Sequence, residues 1–558
     1  AAGRKPRRFR TEFYDGRETR RLVDDRGFEV AQEEANHKPA GETTPDDEGT
    51  SSAADSPPAT GRQSAWNYLV FGLSKSSSLI MAVVVARLLT PADFGVFALA
   101  MLVANIFDYM KDLGVGLALV QRPGDWKRFA PTGLTLTVIT GAVAGASLAV
   151  LAPVGAAVLH QPSLTPLIQV LAIGLVISAL GVFPDARLRR DLDFRRRLWP
   201  QFLGAVAKAG LTIALAAAGV GVWSLVYGQL LGVVVTTVLY WAVARVPMKF
   251  GFDRNEARDL VRFGASLTAV ALLAYVMFNT DYFFIGMRLG DTQLGMYTLA
   301  YRLPELLVLN LCVVISDVLV SALSRLQHSR QLVNEHYLKV ATAAMGLTAP
   351  VSVGLAAAAP AVIDTMFGAQ YAAAAPALAV LSFYVLFMSM SHHAGDLFKA
   401  IGRPGIIVYL STGRLALLIP AVWWAAGHSI VMVALALLVV EIAPFTANAV
   451  LLRRVADISY GANLRSVLRP VPAALIMGAV IWLAARMLVS LPSILILLIT
   501  VPVGLAVYLA ALRLTAPDLF DMGMSAVRSI RGRGAEASSA DPSVALEAAP
   551  PADSGPKI

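Results

Sequence analysis

From Trp66 to Leu514 the chain is a succession of long apolar runs separated by short polar pieces. A helical membrane crossing needs about twenty predominantly apolar residues, and on that criterion the pattern predicts about fourteen crossings. The first six are Trp66–Leu89, Phe94–Val120, Pro131–Pro153, Pro166–Pro184, Pro200–Gly219 and Val222–Ala244. The next six are Phe263–Gly286, Met296–Leu323, Lys339–Val362, Ala372–Phe398, Gly405–Ala426 and Ile430–Leu452, and the last two are Pro470–Val489 and Ser493–Leu514. Between the first and second runs stands Thr90-Pro91-Ala92-Asp93. Pro presets the turn and Asp suits the start of the following helix, so a tight helix hairpin is expected there.

That hairpin has a weaker copy. Arg87-Leu88 matches Arg288-Leu289, and Gly95, Leu99 and Ala100 match Gly295, Leu299 and Ala300. Upstream, Phe71-Gly72-x-Ser74 is echoed by Phe263-Gly264-x-Ser266. A repeat at this distance predicts an all-α polytopic membrane protein built from two pseudo-repeated six-helix lobes plus two C-terminal helices. The expected organisation is an extension at 1–64, an N-lobe at 65–245, a C-lobe at 246–453, two further helices at 454–515 and a tail at 516–558.

Composition agrees with the pattern: 56% of the 558 residues are hydrophobic and 15% charged, which excludes a multi-domain soluble chain. The net charge of +9 does not argue for nucleic acid, because the arginines sit in loops beside apolar runs. One alternate set of loops contains Arg122, Lys127 and Arg128, the six arginines between Arg187 and Arg197, and Arg245, Arg254, Arg258 and Arg262. It continues with Arg325, Arg330, Lys399, Arg403, Arg453, Arg454, Arg465 and Arg469; the other set offers little beyond Arg87 and Arg288. The positive-inside rule therefore puts both termini in the cytoplasm. Ala1–Thr60 is polar, has no apolar leader core and is expected to be disordered, as is the tail from Gly534. The first Met is Met81, and the single Cys312 excludes a disulfide within the chain.

Ionisable residues inside the spans cost about 2.5–3.5 kcal/mol each on insertion scales, so each asks for a partner or a wet cavity. Lys75, Lys208, Arg302 and Arg414 lie in four separate spans and are candidates for a cationic lumen that holds an anionic substrate. Asp281, Glu305 and Glu441 are candidate coupling or pairing carboxylates, with Glu305 one turn from Arg302. The competing reading for each is pairing across helices or reaching to an interface. Asp108, Asp112, Asp396 and Lys399, near the cytoplasmic ends, fit that structural reading better, with Lys111 within helical reach of Asp108. Gly141 and Gly145 form a G-x-x-x-G of the kind used for close packing. His392-His393 has no ligand partners at metal spacing, so no metal site is expected, and no cofactor either. The stretch Arg187–Arg197 suits either anionic lipid or simple topology signalling. There is no Walker A, G-x-S-x-G or H-E-x-x-H sequence, and the expected outer loops are short, so an enzyme is not expected.

The hairpin A-R-L-L-T-P-A-D-F-G-V-F-A-L-A, with Asp112–Gln121, Asn279–Gly286 and Ser321–Leu326, resembles the polysaccharide-transporter (Wzx-type) flippases of the multidrug/oligosaccharidyl-lipid/polysaccharide exporter superfamily. The resemblance covers about Ser64 to Leu514. It implies a flippase that moves an undecaprenyl-diphosphate-linked oligosaccharide across the bacterial cytoplasmic (inner) membrane by alternating access, for O-antigen or exopolysaccharide biosynthesis. Its partners would be the lipid-linked oligosaccharide, membrane lipids, and polymerase and glycosyltransferase machinery, with no nucleic acid. The alternatives are a lipid II flippase or a cation-coupled drug exporter of the same superfamily, and, further off, a polytopic glycosyltransferase or polymerase. Lys75 in the first helix speaks against the drug exporter.

Overall fold

The computed structural model of the protein describes residues 79–122, 126–326, 329–525 and 528. Among them there is no strand. The first half contains α1 (Leu79–Leu88), α2 (Pro91–Met110), α3 (Val115–Gln121), α4 (Trp126–Val158), α5 (Leu164–Arg190), α6 (Phe194–Ala217) and α7 (Trp223–Ala244). The second opens with α8 (Arg254–Arg288), α9 (Asp291–Pro304), α10 (Asn310–Arg325), α11 (Arg330–Ala357), α12 (Ala359–Phe367) and α13 (Ala375–Ala400). It closes with α14 (Gly405–Ala425), α15 (Ile430–Ala456), α16 (Tyr460–Leu468), α17 (Val471–Met487) and α18 (Ser493–Thr515). Among the described residues, thirteen helical segments are long and apolar enough to cross a membrane. The short α1 is the described part of the first expected crossing; the rest of that run, including Lys75 and Gly72, lies outside the described residues.

The hairpin forms as its sequence dictates. The Thr90 backbone N–H donates to the Asp93 carboxylate at 3.0 Å and the Asp93 N–H to the Thr90 hydroxyl at 3.3 Å. This reciprocal box, with Pro91 at the first turn, starts α2. Its copy starts α9 after Gly290, whose φ of 84° turns the chain. The two copies then cross. A Cβ placed on Gly95 would overlap the Asp291 carbonyl, and one placed on Gly295 would overlap the Pro91 carbonyl. Pro91 and Asp291 are equivalent positions of the repeat, so the contact is reciprocal, as at an internal two-fold axis. Only glycine fits on either side.

Two expected crossings are interrupted. The run Phe94–Val120 breaks after Met110, where Leu113 (φ 45°) and Gly114 (φ 70°) turn left-handed. The Asp112 carboxylate accepts from the Gly114 and Gly116 N–H groups at 3.1 and 3.2 Å and so caps α3. Hydropathy runs straight across this break, whereas local hydrogen bonding sets it. The run Met296–Leu323 contains a π-helical turn at Glu305–Leu309 directly after Pro304. Proline has no N–H to continue the ladder, and the Asn310 amide covers the Leu306 carbonyl at 3.0 Å.

Within the first half α4 packs on α5, α6 on α7, and α5 on α7. Gly141 and Gly145 sit against Ala179 and Val176, so the G-x-x-x-G closes the α4–α5 seam as expected. In the second half α13 is buried along most of its length between α11, α15 and α9. The halves meet where α2 crosses α9 and where α2, α3 and α4 touch α8. The outward surface of the bundle is apolar, as at Val143, Val150, Val439 and Leu498, which suits lipid as the surrounding medium.

Candidate functional site

A cavity of about 660 Å³ lies among α2, α5, α6, α7 and α8. It reaches from Gln229 and Lys208 at mid-helix to Asp185 and Arg189 at the end of the bundle that carries the arginine-rich loops. Its charges are balanced: Asp108, Asp112 and Asp185 line it together with Lys111, Arg189 and Lys208. Most of them are satisfied by one another or by backbone. Lys111 donates to Asp108 at 2.7 Å and to the Ser178 hydroxyl at 3.0 Å. Asp185 takes Arg189 at 2.7 Å and Arg197 at 2.6 Å, and Asp112 is held by the two α3 amides. Lys208 differs. Its ammonium donates to the Gln229 side-chain oxygen at 2.6 Å, a neutral partner from α7.

The helix packing explains why Lys208 can stand there. A Cβ on Gly232 of α7 would come within 2.9 Å of the Lys208 Cβ, so the glycine lets the lysine stem lie flat against α7. The Tyr240 hydroxyl, which accepts from Gln201 at 2.9 Å, gives this wall hydroxyl and amide character together with Thr236, Thr237 and Gln229. A smaller adjoining cavity shares Asp108, Ser178 and Gln229 and extends the polar space to Asn105.

Of the described candidate residues, Lys208 is the one on the cavity wall. Arg302 pairs with Glu305 at 3.6 Å. Arg414 is buried in the second half. It meets Glu441 at 3.1 Å and donates to the Tyr384 hydroxyl at 2.7 Å, with the Phe278 ring 5.8 Å away. Asp281 is buried too and accepts from the Tyr297 hydroxyl at 2.6 Å. The rings of Tyr297, Tyr301 and Tyr384 connect these two polar centres, with centroids 6.2 and 6.3 Å apart. Arg414 therefore has an acidic neighbour that its position in the sequence did not announce. His393 faces Asp396 at 3.5 Å, and Lys399 reaches the same carboxylate at 3.2 Å.

Contacts join the halves at both ends of the bundle. At the arginine-rich end Glu256 of α8 takes Arg122 at 2.7 Å and Arg128 at 3.1 Å. Arg190 of α5 donates to the Leu119 and Arg122 carbonyls at 3.0 and 2.8 Å, tying down the end of α3. Below this latch, a Cβ on Gly114 or on Gly264 would overlap the other's backbone region. Asp253 caps α8 by accepting from the Asn255 and Glu256 N–H groups at 2.8 and 3.1 Å. Those donors, that of Glu256 foremost, hold its carboxyl below the usual carboxylate range. At the opposite end Gln370 donates to the Ala86 and Leu89 carbonyls at 2.7 and 3.1 Å, and the Tyr371 hydroxyl to the Leu89 carbonyl at 3.1 Å. Sequence reading passed over Gln229, Asp185 and Glu256. Of these Gln229 had a signal, an amide inside an apolar run.

A family of proteins described as polysaccharide biosynthesis proteins matches residues 84–376. The teichuronic acid biosynthesis protein TuaB of Bacillus subtilis is 26% identical over 362 residues, 64% of this chain and 75% of its own. The succinoglycan biosynthesis transport protein ExoT of Rhizobium meliloti is 23% identical over 494 residues, 86% of this chain and 98% of its own. Among solved structures, the lipid II flippase MurJ in an inward closed conformation has the same fold, with a TM-score of 0.67 at 15% identity, over 82% of this chain and 99% of its own.

Proposed function

Because the chain belongs to the polysaccharide biosynthesis protein family, we propose that it is a flippase moving an undecaprenyl-diphosphate-linked oligosaccharide across the cytoplasmic membrane by alternating access. Both termini lie in the cytoplasm on this reading, because the arginine-rich loops stay on that side. The rocking bodies are residues 65–245 and 246–453, hinged where α2 crosses α9. The carrying observation is the polar cavity at membrane depth whose Lys208 is answered by an amide. Gln229 can turn away and leave the ammonium to a diphosphate, whereas Lys111 and Arg189 are neutralised in place by carboxylates. The hydroxyl and amide wall suits sugar, and the polyprenyl tail stays in lipid. On this reading Arg302, and Lys75 outside the described residues, belong to the same cationic lumen, whereas the buried Arg414 is answered by Glu441. Asp281, Glu305 and Glu441 are its coupling or pairing carboxylates, and polymerase and glycosyltransferase machinery are its expected partners.

The test is translocation of a fluorescent undecaprenyl-diphosphate oligosaccharide between leaflets of proteoliposomes. A hydrogen bond to a charged group is worth about 1.5–3 kcal/mol, so Lys208→Ala should weaken apparent affinity roughly 10- to 100-fold, and Lys208→Arg should retain most of it. If the wild-type protein moves lipid II or a small organic cation and leaves the oligosaccharide in place, the substrate assignment fails. If Lys208→Ala transports as wild type does, the lumen assignment fails and the flippase reading stands.

A further inference from the structure

The notable surface feature away from the cavity is α16. Its nine residues are amphipathic, but they are turned the opposite way from those of a soluble helix. Asn463, Ser466 and Val467 face inward, and Asn463 accepts from the buried Tyr337 hydroxyl at 3.3 Å. Tyr460, Leu464 and Leu468, four residues apart and so on one stripe, are 45%, 45% and 40% exposed. Beside that stripe stand Arg465 and Arg469, one turn apart, with Arg453 and Arg454 at the end of α15. Gly461, Leu464, Arg465, Leu468 and Arg469 line an open cleft of about 680 Å³.

The charges there are less satisfied than those of the Arg187–Arg197 patch. Between Arg187 and Arg197, four arginines pair with Asp185, Asp191 or Asp193. Among the described residues Arg453, Arg454 and Arg465 form no ion pair, and the Arg453 guanidinium stacks over the Tyr460 ring at 5.3 Å. Arg469 has one carboxylate partner, Asp518 at 2.9 Å. The position of α16 is equally telling. At 1.5 Å per residue the seventeen residues of α17 span about 25 Å, most of the apolar thickness of a bilayer. That leaves α16 at the level where acyl chains give way to headgroups.

The geometry points to α16 as a binding site for an anionic phospholipid. The headgroup phosphate lies between Arg465 and Arg469, and the acyl chains lie along Tyr460, Leu464 and Leu468. An apolar stripe alone would take any lipid; the basic pair beside it selects negative charge. The complementary partner is the anionic leaflet itself, and the site holds the second half of the bundle in register with that surface.

The full chain, purified from vesicles of phosphatidylcholine and phosphatidylglycerol at 70:30, tests this by native mass spectrometry of retained lipid. Wild type should keep phosphatidylglycerol in preference to phosphatidylcholine. Arg465→Gln with Arg469→Gln should lower that preference about fivefold for each arginine removed, whereas Arg465→Lys with Arg469→Lys should preserve most of it. Leu464→Gln with Leu468→Gln should lower retention of both lipids. Arg187→Gln with Arg196→Gln, in the internally paired patch, should change nothing. The proposal is overturned if the Arg465/Arg469 glutamine variant elutes as a folded protein and keeps wild-type preference. It is overturned equally if millimolar inorganic phosphate displaces the phosphatidylglycerol, since the site would then take phosphate and not lipid.

Discussion

Two buried cations of similar appearance in the sequence have different physical situations. Arg414 and Glu441 are enclosed together, so removing one leaves the other charged and unpaired in a dry place. Arg414→Ala should therefore destabilise the protein by about 3–5 kcal/mol, seen as a lower unfolding midpoint in detergent. Replacing both residues by Leu should restore most of the loss. Lys208→Ala leaves behind only an amide beside a cavity and should barely move the midpoint. Each cation was legible as an embedded charge, but its partner was not. Arg414 meets Glu441 because α14 and α15 run side by side, and Lys208 meets Gln229 because α6 packs on α7 through glycine. Neither pairing follows from spacing along the chain, since helices as long as these admit many registers.

At the scale of elements, the existence and order of the helices followed from apolar run length, because the bilayer fixes that length. The interruptions did not. The break before α3 depends on Asp112-Leu113-Gly114, a capping sequence inside an apolar run, and the π turn depends on Pro304. Both were readable from local chemistry and were masked by hydropathy. The start of α8 offers a pH test. Asp253 titrates lower in the folded protein than in the unfolded chain, so its cap is fully present above the unfolded value, about pH 4, and is lost as pH falls through the lower folded value. Amide exchange at Asn255 and Glu256, corrected for intrinsic rates, should quicken as pH drops through that window. In Asp253→Asn this acid step should be absent.

For the whole molecule, the decisive contacts are those between the halves. Glu256 holds two arginines of the first half against α8, so Glu256→Gln should favour opening at the arginine-rich end. A cysteine introduced at Ser178 should then be labelled several-fold faster by a soluble maleimide, and the native Cys312, fully buried, should stay silent. Gly95→Leu should act at the other end, forcing α2 from α9 and abolishing transport even where the protein still folds.

The reciprocal crossing of Gly95 and Gly295 has a mechanical consequence. Two helices that touch through bare backbone at one point have a fulcrum: with no side chain between them to shear, they swivel more readily than they slide. From Gly95 to Met110 the lever arm is about 22 Å at 1.5 Å per residue. A swivel of about ten degrees would carry the far end of α2 through about 4 Å, by the same helix geometry. That displacement exceeds the 2.7 Å of the Arg122–Glu256 pair, so a modest pivot at one end is leverage enough to unlatch the other.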